Sequence, residues 1–382
     1  MATIRADVVG SLLRPEYLRE AREAARAGTV GPDELHAVED RAVLEAIALQ
    51  ESAGIEAITD GEYRRTGWIA FIPMVDDPLF SAPVSGFEFL DAESGWRGLW
   101  KTGAGEPADT SALPPQEPFV TRPLQVERDI VGDEFGFLKE HTRACAKYTI
   151  PAPSWHRIFW HPDYSTDAYP TSDDFIRDIA RLTREHIVDR LVELGCDYIQ
   201  LDAPNYAQWH IDPGNRAAFE AHGHDMADEL VADAELDNLV FEGLTGVTRA
   251  MHICRGNAPG GMWAATGGYE VISKEVFPRL SNFDRLLLEY DSDRAGGFAP
   301  LADVLAHHEV ALGLVTTKNG KLETPEDITS RVEEATRYVP LDRLAISPQC
   351  GFASGEIART MTLPEQDAKL RLIGDIARRI WQ

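Results

Sequence analysis

The sequence is short of basic residues and contains no long apolar run. It has 37 Lys and Arg residues against 63 Asp and Glu residues, a formal net charge of −26. A surface this acidic repels phosphate backbones and anionic headgroups, which argues against nucleic acid and membrane surfaces as partners. No apolar stretch approaches the roughly 20 residues that a membrane helix needs. The first seven residues lack the basic and apolar regions of a signal peptide. We therefore expect a cytoplasmic protein with no nucleic-acid or membrane partner.

Cysteine is scarce, and a glycine-rich phosphate loop is missing. Four cysteines in 382 residues do not make a disulfide framework, which suits a reducing compartment. No strand-like run is followed by the glycine fingerprint of a dinucleotide-binding domain. These two absences argue against a small secreted scaffold and against a Rossmann fold.

Strand-like runs alternate with longer amphipathic stretches along the whole chain. Eight runs have strand character: 5–10, 55–59, 147–150, 198–201, 246–254, 283–289, 310–317 and 344–348. Helical patterns cover 16–26, 32–53, 173–194, 269–280, a stretch that opens at Thr324-Pro325, and 364–381. Eight strands, each followed by a helix or a long loop, favour a (β/α)8 TIM barrel over an open sheet. We expect one domain over residues 1–382.

The segment from about 64 to 146 breaks this alternation. It is rich in Pro, Gly, Trp and Phe and shows little helical periodicity. A structureless loop of that length is improbable in a compact domain. The sequence therefore predicts an inserted lid or hairpin after the second strand.

The strongest chemical signal is the pair His252 and Cys254 in Met-His-Ile-Cys. Alternate residues of a strand project from one face, about 7 Å apart along the chain, so one metal ion can take both. Glu289 ends the sixth predicted strand after three leucines, and Cys350 follows the eighth. In a barrel these four side chains share the C-terminal rim, and two thiols, an imidazole and a carboxylate suit Zn²⁺.

A competing interpretation treats these residues as ordinary core residues. Cys254 and Cys350 would then be buried thiols, and His252 a core histidine with satisfied ring nitrogens. The placement of Cys350 and Glu289 at equivalent strand ends favours the metal site. Cys145 and Cys196 precede strands, at the opposite end of the barrel, and are expected to be core residues.

Taken together, these motifs resemble the catalytic half of cobalamin-independent methionine synthase. The resemblance rests on the H-x-C pair, the Glu of the sixth strand and S-P-Q-C-G-F, with V-G-S, T-D-G-E-Y-R-R, I-Q-L-D-A-P and H-I-C-R-G-N elsewhere. It covers nearly the whole chain and is greatest with the shorter, single-domain bacterial relatives. Nothing in the sequence corresponds to a duplicated N-terminal half.

The resemblance implies a zinc-dependent methyltransferase of methionine biosynthesis that binds the thiol of homocysteine on the metal and methylates it. His252, Cys254 and Cys350 would be permanent zinc ligands, with Glu289 as the fourth. The resemblance also assigns substrate-binding residues. Glu62 and Asp202 would hold the ammonium group of homocysteine, and the backbone of Gly10 and Ser11 its carboxylate. The implied partners are a small thiol and a methyl donor, and a homodimer is left open.

The sequence departs from this family after the seventh predicted strand. Folate-using members carry a D-x-H element there, whose histidine is implicated in protonating the leaving amine. This chain has Val315-Thr316-Thr317-Lys318 instead. Lys318 is the candidate proton donor in this stretch. A lysine with an ordinary pKa near 10.4 is a poor general acid unless burial lowers that pKa, which makes methyltetrahydrofolate a doubtful methyl donor.

Two other functions compete with this interpretation. One is a zinc-dependent alkyltransferase for a different thiol, such as an epoxide:coenzyme M transferase. A sulfonate thiol calls for basic residues where Glu62 and Asp202 lie, although Arg14 and Arg255 keep this alternative open. The other is a zinc-binding relative without catalysis, which would have no use for the acid pair.

Overall fold

The computed structural model describes residues 3–69, 83–91, 99, 101, 106, 116–129, 131–257, 261–356 and 360–382. The strands are β1 (Ala57–Ile58), β2 (Val84–Leu90), β3 (Glu117–Val126), β4 (Cys145–Pro151), β5 (Tyr198–Asp202), β6 (Thr248–Ile253), β7 (Arg285–Glu289), β8 (Glu309–Val315) and β9 (Leu344–Pro348). The helices are α1 (Glu16–Arg26), α2 (Pro32–Ala53), α3 (Val131–His141), α4 (Pro162–Ser165), α5 (Ser172–Leu182), α6 (Asp189–Glu193), α7 (Pro204–His210), α8 (Pro213–Ala221), α9 (Met226–Leu239), α10 (Ser273–Val276), α11 (Pro325–Ala335) and α12 (Leu363–Trp381). No helix in these described ranges is long and apolar enough to cross a bilayer.

The predicted barrel is confirmed. In the described residues, parallel strands follow the order β1-β4-β5-β6-β7-β8-β9. The first predicted strand is reduced to a single parallel bridge between Ala6 and Ile346, at the free edge of β9. Asp7 N donates to Ile346 O at 3.0 Å, and on the other side Glu56 N donates to Ala6 O at 3.0 Å. Backbone hydrogen bonds of this segment therefore close the sheet.

The barrel interior consists of alternate strand residues. Six of them form a separate apolar cluster with Ile4 and Val9: Ala57, Tyr198, Ala250, Leu287, Ala311 and Ala345. Because side chains of a strand alternate, the residues two positions further along each strand face the same interior, nearer the C-terminal rim. His252 follows Ala250 and Glu289 follows Leu287 in this way. The small apolar interior thus forms the floor beneath these polar side chains.

A buried ionic cluster fills the opposite end of the barrel. The carboxylate of Asp7 accepts hydrogen bonds from Lys147 Nζ at 2.9 Å, Tyr198 OH at 2.8 Å and Arg285 Nη1 at 3.0 Å. Burial opposes ionisation of Asp7, but the two cations outweigh it and hold the pKa of Asp7 below its ordinary value. All of these partners are supplied by other strands, so the cluster links the first segment to the sheet.

Most of the helical predictions are confirmed. The helices α1 and α2 have the predicted bounds. The long pattern over 173–194 corresponds to α5, a π-helical turn at Thr183–Val188 and α6, and Gly195 ends it with φ +77°. Thr324 caps α11 by accepting a hydrogen bond from Asp327 N, with Pro325 at the first helical position.

Three segments differ from the predictions. The expected helix over 269–280 consists of short helical turns around α10, because Pro278 removes a backbone donor inside the pattern. The helices α7 to α9 occupy the stretch between β5 and β6 that the sequence pattern left unassigned. The segment 64–146 contains α3, which ends only four residues before β4 and is the crossover helix that the pattern missed.

The remainder of that segment contains an antiparallel strand pair, while its role as a lid stays a prediction. The strands β2 and β3 pair in antiparallel fashion from Val84↔Val126 to Leu90↔Glu117. Phe87 of β2 packs edge-on against Phe159, which follows β4. Lys101 forms a two-residue bridge with Trp263, in the loop after β6, through hydrogen bonds of 2.7 and 3.1 Å. The described part of the insertion therefore contacts loops of the C-terminal rim.

Candidate metal centre

Four side chains with metal-binding atoms meet at the C-terminal ends of three strands. His252 belongs to β6, Cys254 follows it, Glu289 ends β7 and Cys350 lies two residues beyond β9. One ligand atom of each lies within 4.8 Å of those of the other three, and all four residues are buried. The thiols are unbridged, with their sulfur atoms 3.3 Å apart. The predicted cluster is thus formed, while the ligand roles of its members stay predictions.

The donor atoms of this cluster fit a bound cation. His252 Nδ1 lies 3.3 Å from the carbonyl of Leu287, while its Nε2 is buried without a hydrogen-bond partner among the described residues. A metal-bound histidine shows this pattern, with one ring nitrogen on a backbone carbonyl and the other on the ion. Glu289 Oε2 is likewise buried and unpartnered there. Hydrogen bonding to Cys350 and burial raise the pKa of the Cys254 thiol.

Two residues of the loop after β6 hold Glu289 in place. The hydroxyl of Tyr269 donates to Ile253 O and accepts from Glu289 N, each at 2.9 Å, so it joins the ends of β6 and β7. Arg255 stacks on the Tyr269 ring, 4.0 Å from its centroid, and donates to Glu289 O at 3.1 Å. Arg255 Nη1 and Arg294 Nη2 lie 3.9 and 4.0 Å from Glu289 Oε2. Two guanidinium groups, one from the loop after β6 and one from the loop after β7, therefore lie near Oε2 of this carboxylate.

The predicted acid pair lies in the same interior. Asp202 ends β5 and pairs in register with His252 of β6. Burial raises the pKa of Asp202 to about 7. The positive charge of His252 opposes this rise, and the negative charge of Glu62 contributes to it. Glu62 Oε1 accepts from Thr149 Oγ1 at 2.8 Å, and its Oε2 is buried without a partner in the described chain.

Glu62 has a backbone conformation that is costly for a residue with a side chain. Its φ is +60°, in the left-handed region. Asp60 Oδ1 accepts from Glu62 N at 2.9 Å, and Arg14 Nη2 donates to Glu62 O at 2.9 Å. Such strain persists only where the surroundings impose it, and it is concentrated at functional sites. The turn aims the Glu62 side chain at β4 and at the first segment.

Gly10 and Ser11 complete this group. A Cβ atom on Gly10 would lie 2.6 Å from Glu62 Oε1 and 2.9 Å from Thr149 Cγ2, so a side chain there would displace that carboxylate. A side chain on Gly351 would collide with Ser11 Oγ, and Phe352 N donates to Ser11 O at 2.8 Å. The structure therefore places the four predicted substrate-binding residues around the cluster, and their roles stay predictions.

Lys318 is buried against the loop after β6, and its role as a proton donor stays a prediction. Its ammonium group donates to Gly256 O at 2.6 Å, Asn257 Oδ1 at 2.8 Å and Met262 O at 3.1 Å. An ammonium has three N–H groups, so all are engaged by the loop after β6. Burial lowers the pKa of Lys318 below its ordinary value. In this structure Lys318 anchors a loop.

Sequence analysis missed the groups that orient the candidate ligands. Gln349, Thr317, Thr149 and Tyr269 are all buried and bond to the candidate site residues or to one another. Gln349 and Thr317 gave a signal in the sequence, because each lies in a quoted stretch next to a candidate site residue, Cys350 or Lys318. The others are common polar residues whose partners come from distant strands.

Comparison with known proteins agrees with this geometry. The profile of the family described as "Cobalamin-independent synthase, Catalytic domain" matches residues 169–378. Protein YxjH of Bacillus subtilis (strain 168) is 34% identical over 100% of this chain and 96% of its own. A methionine synthase of Saccharolobus solfataricus is 24% identical, over 90% of this chain and 87% of its own.

A solved structure has the same fold. The B12-independent methionine synthase from Shewanella sp. W3-18-1, in complex with selenomethionine, superimposes with a TM-score of 0.71. The match covers 99% of this chain and 98% of that one at 20% identity. The profile match spans more than half of the chain, and full-length similarity extends to YxjH. The chain therefore belongs to the cobalamin-independent synthase catalytic-domain family.

Proposed function

We propose that this protein is a zinc-dependent methyltransferase that converts the thiol of homocysteine to the thioether of methionine. The observation that carries the proposal is the convergence of His252, Cys254, Glu289 and Cys350 within 4.8 Å in a buried interior, where an imidazole nitrogen and a carboxylate oxygen have no hydrogen-bond partner among the described residues. Two soft sulfur donors with nitrogen and oxygen suit Zn²⁺ better than Mg²⁺ or Ca²⁺, which prefer oxygen ligands. Bound zinc would lower the pKa of a coordinated substrate thiol and so supply a nucleophilic sulfur.

The residues around the cluster fit the amino-acid end of homocysteine. Glu62 Oε2 is a buried carboxylate oxygen without a partner in the described chain, and Asp202 pairs in register with the candidate ligand His252. An ammonium group offers three donors and a positive charge, which satisfy both acids. The backbone of Gly10 and Ser11 would receive the substrate carboxylate. Together these groups would hold the thiol toward the cluster and exclude water around it.

The sulfonate-thiol alternative is less well supported by the environment of its two arginines. Arg14 donates to the carbonyls of Ala353, Glu62 and Arg65. Arg255 donates to Gly267 O, Glu289 O and Ala295 O. Both guanidinium groups are therefore used in holding backbone segments together, and a sulfonate would have to replace those contacts.

X-ray absorption at the zinc edge, with and without homocysteine, tests the proposal. We expect two sulfur scatterers from Cys254 and Cys350 in the resting protein and a third when homocysteine is added, because the substrate thiol joins the coordination sphere. Homoserine, which has a hydroxyl in place of the thiol, is the matched control and should leave the sulfur count at two. An unchanged sulfur count with saturating homocysteine would reject homocysteine activation on zinc.

The acid pair gives a second expected result. Glu62→Gln or Asp202→Asn should weaken homocysteine binding by about 1.5–3 kcal/mol, or roughly 10- to 150-fold in Kd, because each removes a charge-assisted hydrogen bond. Calorimetric titration of the zinc-loaded variants measures this, and their zinc content should be unchanged. Glu45→Gln, on the exposed face of α2, is the control. Unchanged binding in both acid variants would place the ammonium elsewhere and revive the sulfonate thiol.

A further inference from the structure

The two carboxylate oxygens of the candidate ligand Glu289 differ in their hydrogen bonding. Oε1 accepts a hydrogen bond from Gln349 Nε2 at 3.2 Å, while Oε2 has no hydrogen-bond partner among the described residues. Arg255 and Arg294 lie 3.9 and 4.0 Å from Oε2. These guanidinium groups attract Oε2, since opposite charges at this distance in a buried site interact strongly. A group that holds Oε1 fixes the orientation of the carboxylate against this attraction.

Gln349 is suited to this task because its amide can face only one way. Gln349 Oε1 accepts from both Thr317 N and Thr317 Oγ1, each at 2.7 Å. The amide oxygen is thus fixed by two donors at the end of β8, which forces the NH2 group toward Glu289. A flipped amide would bring its NH2 group against the two Thr317 donors and its oxygen against the Glu289 carboxylate. Gln349 and Thr317 are both fully buried.

We propose that Gln349 and Thr317 are a positioning pair that sets the orientation of the Glu289 carboxylate as a metal ligand. Thr317 orients the Gln349 amide, and the amide holds Glu289 Oε1. Gln349 is next to Cys350 in the chain, so the same short segment supplies a thiol ligand and orients the carboxylate ligand. This inference rests on the proposed function, since it concerns the same metal centre. Removing such outer contacts typically costs 10- to 100-fold in metal affinity.

Zinc affinity of the full-length protein, measured by competition with a chromogenic chelator, tests the pair. Gln349→Met removes the amide at nearly constant length, and we expect a Kd for Zn²⁺ that is about 10- to 100-fold higher. Thr317→Val removes one of the two donors that orient the amide and should raise the Kd less, by about threefold to tenfold. Thr317→Ser keeps the hydroxyl and is the matched control, with wild-type affinity.

A double-mutant cycle distinguishes positioning from a merely structural effect. If Thr317 acts through Gln349, Thr317→Val should have no further effect on zinc affinity in the Gln349→Met background, because the amide that Thr317 orients is already absent. The effects of two substitutions in one contact are then not additive. The visible absorption of the Co²⁺-loaded protein is a second readout. It should change in Gln349→Met and Thr317→Val and match wild type in Thr317→Ser.

The outcomes separate this inference from the proposed function. A Kd within twofold of wild type in Gln349→Met, or equal losses in Thr317→Val and Thr317→Ser, would overturn the positioning pair. The positioning pair would also be overturned if Thr317→Val raised the Kd for Zn²⁺ by the same factor in the Gln349→Met background as in the wild type. If Gln349→Met fails to fold, the comparison of the two Thr317 variants decides alone. A wild-type protein that binds no Zn²⁺ would instead overturn the proposed function.

Discussion

Cys254→Ala and Cys350→Ala are each expected to lower bound zinc from one ion per chain to less than about a tenth of that value. Each variant loses one of the four converging donors and leaves an incomplete site for a metal that needs tetrahedral coordination. The fold should persist, because apolar clusters inside and outside the barrel wall hold the chain together. Metal analysis of the purified variants measures the first effect, and thermal unfolding checks the second.

Cys196→Ala is the matched control for this experiment. Cys196 is a buried cysteine whose thiol lies 3.3 Å from Tyr198 O, at the start of β5 and far along the barrel from the cluster. The substitution Cys196→Ala removes the same atoms from a buried site without changing a candidate ligand, so the zinc content should stay at the wild-type level. Full zinc occupancy in both Cys254→Ala and Cys350→Ala would end the metal assignment.

The second large effect concerns the methyl donor. An activated donor such as methylcobalamin or a sulfonium is expected to support turnover about 10²–10⁴-fold faster than methyltetrahydrofolate, the range that a general acid contributes. The amine that leaves from the folate needs a proton in the transition state. Lys318 is the candidate proton donor, and its N–H groups all bond to oxygens of the loop after β6.

One preparation of zinc-loaded enzyme, saturated with homocysteine and supplied with each donor in turn, gives this comparison. Equal rates with folate and activated donors would contradict the inference. Lys318→Met would then identify the source of the proton, since folate turnover that survives this change excludes Lys318. The turnover of Lys318→Met with an activated donor measures only the loss of the loop anchor. This measurement is the internal control.

The fold was largely predictable because its signals are local. The hydrophobic periodicity of strands and helices predicted the bounds of α1, α2 and β9. The alternation of side chains along β6 predicted that His252 and Cys254 lie on one face. Where the local signal was weak, the predictions were wrong. The helix α3 lies in a glycine- and phenylalanine-containing stretch, and the helix expected over 269–280 is interrupted by proline.

The sequence by itself determined the barrel fold, the acidic net charge and the residue types that gather at the C-terminal rim. Alternation along a strand is a property of neighbouring residues, so it can be read without a structure. Tertiary structure alone decided that Gln349 reaches Glu289, that Thr317 orients Gln349, and that the amine of Lys318 is occupied. These contacts join residues about 30 to 60 positions apart. Their existence depends on the register between strands and on the direction of each side chain, which no local pattern encodes.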